Sequence, residues 1–179
     1  MAETAAYQFS DCDLQGRYRY SLTATTSAPG AARLVVVQCN PSLADGQRSD
    51  PTAGKVARWA QEQGFAEVEF LNLFARIGEH PEALRHLRYA QLVGTRNDQV
   101  IAGALAKAGT TLVLAWGARL PVGERAYRRR KDELRDLVTA VGRQPHHVGA
   151  LTAGRYPRHG RMWNGGNRGL APLDWDAIA

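Results

Sequence analysis

Leu34-Val35-Val36-Val37-Gln38-Cys39-Asn40-Pro41-Ser42 runs four aliphatic residues straight into a polar turn. An unbroken apolar run of this length reads as a strand buried on both faces, as strands in parallel sheets are. Val68-Glu69-Phe70-Leu71 before Asn72-Leu73-Phe74 repeats the arrangement, and residues 111–116 give a third such strand ending at Trp116. Between the first two lies a helical pattern over 51–64, opened by Asp50-Pro51 and stopped by Gly64. Further helical patterns cover about 81–90, 96–108 and 122–141, and a last strand is predicted near 146–151. Strands alternating with helices imply right-handed crossovers, hence a three-layer α/β/α sandwich around a central, mostly parallel sheet. Strands 34–39, 67–72 and 111–116 should lie side by side, with Asn40, Asn72 and Trp116 emerging at one edge. In such sheets ligands bind beyond the carboxyl ends of the strands.

Outward from this block the signals weaken. Residues 17–24 alternate polar and apolar side chains and suit an antiparallel edge strand, closed off by Pro29 and Gly30. Residues 1–16 show no clear period and read as a loose N-terminal arm, which leaves 17–179 as a single α/β domain. The stretch from Thr152 to Asp176 is broken repeatedly by glycine, and its arginines, His159 and Trp163 favour a functional loop.

With 179 residues and 44% hydrophobic content, the chain can bury one core and is short for two domains. Cys12 and Cys39 lie far apart, no segment resembles a secretory signal or a membrane span, and a cytoplasmic monomer with free thiols is expected. Two cysteines exclude a four-thiolate cluster within the chain, no zinc spacing is visible, and neither metal nor cofactor is expected. The net charge of +6 and its clustered arginines suit a partner with phosphates, DNA or a nucleotide, and no membrane. The run Arg128 to Lys131 reads equally well as a solvated helix face.

Several side chains carry chemical possibilities. Asn40 could orient an attacking water with one half of its amide while a backbone group fixes the other, or simply cap a turn. Asn72 could read the edge of a heterocycle, since an amide complements a carbonyl beside a ring N–H. Asp45 could be a catalytic carboxylate or a loop cap, and Asp50 suits a helix N-cap. His159, in Arg155-Tyr156-Pro157-Arg158-His159-Gly160, could stabilise a developing negative charge, with Ser42, Arg155, Arg158 and Arg161 holding phosphates. Trp59 and Phe74 could stack on a base or belong to the core.

Taken in order, Cys39-Asn40-Pro41-Ser42, Phe70-Leu71-Asn72-Leu73, Leu114-Ala115-Trp116-Gly117 and Pro157-Arg158-His159-Gly160-Arg161 resemble the motifs of the uracil-DNA glycosylase superfamily. The chain departs from that pattern at Gly160, where the family has proline, and lacks the Asp-Pro-Tyr water motif. It also resembles a bacterial and phage domain family of unknown function through Asn40-Pro41-Ser42-Leu43-Ala44-Asp45, Asp50-Pro51-Thr52, Asn72-Leu73-Phe74, Asn97-Asp98, Ala115-Trp116-Gly117 and Arg158-His159. The glycosylase resemblance implies a fold of that type and a site in which Asn40 positions water, Asn72 holds a flipped base and His159 steadies the departing base. The expected activity is N-glycosidic hydrolysis at a modified or mismatched base. A hydrolase of free nucleosides or nucleotides and a non-catalytic nucleic-acid or modified-base binder are the alternatives.

Overall fold

The computed structural model describes residues 7–41, 51–78 and 83–179. Its centre is a seven-stranded sheet in the order β1-β2-β4-β3-β5-β6-β7. The strands are β1 (Tyr7–Gln15), β2 (Tyr18–Thr26), β3 (Arg33–Gln38), β4 (Glu67–Asn72), β5 (Thr110–Leu114), β6 (Pro145–Val148) and β7 (Leu170–Pro172). The helices are α1 (Pro51–Glu62), α2 (Tyr89–Val93), α3 (Asn97–Ala106) and α4 (Glu124–Ala140). β3 lies between β4 and β5 and is parallel to both, with Val36 opposite Phe70 on one side and Val113 on the other. β6 extends this parallel block, and β2 and β7 join it antiparallel. The α/β architecture and its adjacent parallel strands are as the apolar runs predict.

Period-two alternation sorts the strand residues between two cores. Val35, Val37, Leu71, Leu112 and Leu114 face α3 and α4, where they meet Ile101, Leu105, Tyr127, Leu134 and Val138. Leu34, Val36, Val68, Phe70 and Val113 face α1, whose Ala53, Val56, Ala57, Trp59 and Ala60 form the buried stripe. The expected caps of α1 and the first part of the expected helix 81–90 fall partly on Asp50 and residues 79–82, outside the described residues.

Four expectations need correction. Residues 7–15 are no loose arm: they form β1, paired antiparallel with β2. Register shifts between Phe9 and Asp11 and between Asp13 and Leu14 break the alternation, which is why no period shows in the sequence. Tyr7 docks on α1 because Gly54 leaves room; a Cβ there would stand 2.3 Å from the Tyr7 hydroxyl. β2 is accordingly an interior strand, not an edge. The helix expected at 81–90 is a 3₁₀ turn over Ala83–His86 followed by the separate short α2, split where Arg88 turns extended. Finally, part of the glycine-broken tail adds β7 to the sheet, with His147 opposite Ala171.

Candidate functional site

The parallel register brings the ends of β3, β4 and β5 level. Asn72, the last residue of β4, stands opposite Gln38, the last of β3. Beyond them the chains stay tied: Leu73 N–H donates to Gln38 O at 2.8 Å and Ala115 N–H to Val37 O at 2.8 Å. Over this edge opens a cleft of about 670 Å³. Its walls are the turn Cys39–Pro41 after β3, residues 116–121 after β5, and Thr152, Arg158, His159, Arg161 and Met162 after β6, with Gly78 and Arg85 closing the side.

Asn40 and His159 both line this cleft. The Asn40 Nδ2 donates to Pro41 O at 3.3 Å, and its Oδ1 has no partner among the described residues. The amide is therefore held at its nitrogen, with no described residue donating to its oxygen. His159 caps the 3₁₀ turn Gly160–Met162, its Nδ1 accepting from Arg161 N–H at 3.3 Å. With Nδ1 accepting, a neutral ring carries its proton on Nε2 and donates from there.

Two glycines make this placement possible. Gly117 has φ 73° and a Cβ on it would lie 3.0 Å from the His159 Cβ. At Gly160 a Cβ would sit 2.4 Å from Val56 Cγ2 of α1. Gly160 thus belongs to a close contact, in which the His159 turn lies directly on α1 and the Lys55 Nζ donates to Arg161 O at 2.7 Å. Trp116, almost fully buried, is fixed from behind by Nε1–H donation to the Tyr127 hydroxyl, which in turn donates to Ala179 O. Burial raises the Tyr127 pKa, so the phenol keeps its proton in this relay. Cys39 also reaches the cleft, but burial pushes its thiol up to about 12, which keeps it protonated and poorly nucleophilic.

The charges that line the cleft among the described residues are all positive. Arg85, Arg119, Arg158 and Arg161 line it, and no Asp or Glu does so among the described residues. Arg158 donates from Nε to Ala150 O at 2.6 Å, which orients its guanidinium. Arg155, expected to hold phosphate, does not line the cleft: its guanidinium bonds the Asp176 and Ala177 carbonyls and ties down the C-terminal turn.

The two expected stacking residues are also placed elsewhere. Trp59 is 1% exposed, donates from Nε1 to Arg168 O and meets Trp163 edge-on in the α1 core. Phe74 is wholly buried against Tyr89 in the opposite core. Both occupy helix- or strand-facing core positions, so neither presents a ring to the cleft. Ser42 and Asp45 lie outside the described residues.

Asn72 occupies an intermediate position. It is fully buried, it does not line the cleft, and neither its Oδ1 nor its Nδ2 has a hydrogen-bond partner. A buried amide left unpaired costs about 1–3 kcal/mol per group, and persists where something outside the bare fold uses it. Asn72→Leu, similar in volume, is expected to raise stability by about 1 kcal/mol in urea unfolding while impairing any base-dependent activity. A loss of stability instead would show that the amide serves the fold.

Two further residues shape this edge, and neither was singled out for it in sequence. Asn97 donates from Nδ2 to both Asn72 O and Leu73 O at 3.0 Å. Arg130 is fully buried, donates from Nε to Leu73 O at 2.7 Å and pairs with Asp98 at 2.6 Å. It is thus no part of a solvated basic face, although Arg128 and Arg129 are, each paired with a glutamate four residues away. The signal was present: Tyr127, Arg130, Leu134 and Val138 fall at helical spacing on the buried side of α4. The Arg130 cluster continues to Glu133, where burial raises the carboxyl but hydrogen bonds from Tyr89, Arg129 and Arg130 outweigh it and hold the pKa below the usual range.

Among the described residues, no group of three or more His, Cys, Asp and Glu side chains could hold a metal, and no helix is long and apolar enough to cross a membrane. The family described as protein of unknown function, DUF1643, matches residues 19–160. No curated protein and no solved structure matches the chain.

Proposed function

Since the chain belongs to the DUF1643 family, whose description assigns no activity, we propose a function from its cleft: N-glycosidic hydrolysis of a phosphorylated, nucleobase-bearing ligand, with a modified or mismatched base in DNA as the reference substrate. The observation that carries this reading is the pairing of Asn40 and His159 on one arginine-lined cleft without a carboxylate among its described walls. An amide with its nitrogen held and its oxygen unpaired among the described residues suits orientation of a water, and an imidazole protonated at Nε2 suits donation to an oxygen that gains charge.

In the proposed reaction, water oriented by Asn40 Oδ1 attacks the anomeric carbon of the sugar. The C–N bond breaks, its electron pair leaves with the base, and His159 stabilises the charge that develops there. The amide takes no proton; water's proton passes to solvent and the base is finally protonated, giving base and sugar hemiacetal. Arg85, Arg119, Arg158 and Arg161 attract the phosphates. Asn72 is buried and off the cleft wall, so its proposed reading of the base edge requires that the bound ligand uncover its amide, which would then satisfy its two unpaired polar atoms. A base within duplex DNA would first have to be flipped out of the stack.

The test is a panel of single- and double-stranded oligonucleotides, each with one modified or mismatched base, alongside nucleosides and nucleotides, with liberated base measured chromatographically. Base release by the wild type, lost in Asn40→Ala, is the expected result. Absence of release from every member would leave a binding protein as the better reading. A free-nucleotide hydrolase is the second reading, favoured by the concave form of the arginine site.

A further inference from the structure

We infer that the cleft accepts a free nucleotide with a compact chain of two or three phosphates, in preference to the backbone of DNA; this rests on the nucleobase reading of the same site. Four arginines line one concave mouth, and they come from three separate segments: Arg85 from the 3₁₀ turn before α2, Arg119 from the loop after β5, and Arg158 and Arg161 from the segment after β6. Cations gathered from separate segments on one depression suit a compact charge. A duplex spreads its phosphates along an axis and is met by a stripe or an extended face.

Among the described residues that charge is also uncompensated. None of the four has an ion-pair partner among the described residues, whereas Arg33, Arg96, Arg128, Arg129, Arg130, Arg135 and Arg168 each have one. A triphosphate carries about four negative charges at neutral pH, since a terminal phosphate ionises a second time near pH 6. That matches the four guanidinium groups, and guanidinium forks bind phosphate oxygens in pairs.

The loop after β5 adds neutral donors to the same wall. The backbone N–H groups of Ala118, Arg119 and Leu120 make no hydrogen bond among the described residues, and all three residues line the cleft. Backbone amides beside a glycine of positive φ, here Gly117, recur at phosphate-binding concavities. At about 670 Å³ the cleft falls in the range that encloses a small-molecule ligand. Hydrolysis there would add water across the C–N bond and yield a base and a sugar polyphosphate.

Calorimetric titration of the full chain tests this with a nucleoside, its 5′-mono- and 5′-triphosphate, inorganic triphosphate, and single- and double-stranded DNA at one salt concentration. Affinity is expected to rise at least tenfold from nucleoside to triphosphate, inorganic triphosphate should compete, and DNA should bind more weakly. Arg119→Ala and Arg161→Ala should each weaken the triphosphate about tenfold, while Arg128→Ala, outside the cleft, leaves it unchanged. The inference is overturned if DNA binds more tightly than the triphosphate, or if the phosphates add nothing to the affinity of the nucleoside. Triphosphate binding without base release would sink the hydrolytic reading alone; base release from DNA without triphosphate binding would sink this inference alone.

Discussion

Asn40→Ala is expected to lower turnover of the best base-bearing substrate by about two to four orders of magnitude, with affinity for a non-hydrolysable analogue largely retained. The asymmetry follows from the proposed division of labour. In that proposal Asn40 touches only the water, through an oxygen that has no partner among the described residues while Pro41 O holds the nitrogen. Deleting it removes an interaction made in the transition state and leaves ground-state binding to the arginines. Asn40→Asp supplies the complementary measurement, because a carboxylate keeps an acceptor at that point and should recover part of the lost rate. Single-turnover rates beside analogue titrations separate the two quantities. Equal losses in rate and affinity would place Asn40 in ligand binding and remove its proposed role with water.

Arg130→Ala is expected to destabilise the protein by about 3–5 kcal/mol, the scale for removing one partner of a buried ion pair. Its guanidinium has no exposure, donates to Leu73 O and Glu133, and forms an ion pair with Asp98. Truncation would empty the space between α4 and the end of β4 and take one donor from the Leu73 carbonyl. Arg130→Met should be milder. It refills the volume, Asn97 still donates to Leu73 O, and Asp98 is exposed enough for water to solvate it. For a chain of this size each kcal/mol moves the thermal midpoint by about 2–4 °C, so the two variants should separate clearly in a melting experiment. A loss below about 1 kcal/mol for Arg130→Ala would return the residue to the ordinary surface class.

The central sheet was legible because its strands carry apolar residues on both faces, a pattern that needs no knowledge of the neighbours. Residues 67–72 were predicted as a strand and form β4 over that span. The edges were harder to read. β1 hides behind two register shifts, and the N-terminal hairpin makes sense only once α1 is seen to offer Gly54 to Tyr7. At the site, sequence order placed Asn40 and His159 beside the carboxyl ends of the strands, and both line the cleft. It could not show which way a side chain faces. Trp59 and Phe74 lie close to the site in sequence and turn into opposite cores, and Arg155 reaches back to the C-terminal carbonyls. Arg85 comes from a segment without a motif and Arg119 stands just past Ala115-Trp116-Gly117, and only the fold brings the two to one cleft.

The position of β3 between β4 and β5 bears on how the chain reaches this structure. The β1–β2 hairpin joins near neighbours in sequence and can form as soon as it leaves the ribosome. β3 cannot be completed so early, because its second edge is taken by β5, whose pairing joins Arg33 to Thr110 and Val37 to Leu114. Until that later segment has been synthesised, a Val-rich strand presents one unsatisfied row of backbone donors and acceptors, the kind of edge on which chains associate wrongly. Nonlocal pairings of this sort form slowly, since a long loop must be closed before any contact repays it. The strand that anchors the candidate site is therefore also a point at which biosynthesis leaves an edge open to aggregation.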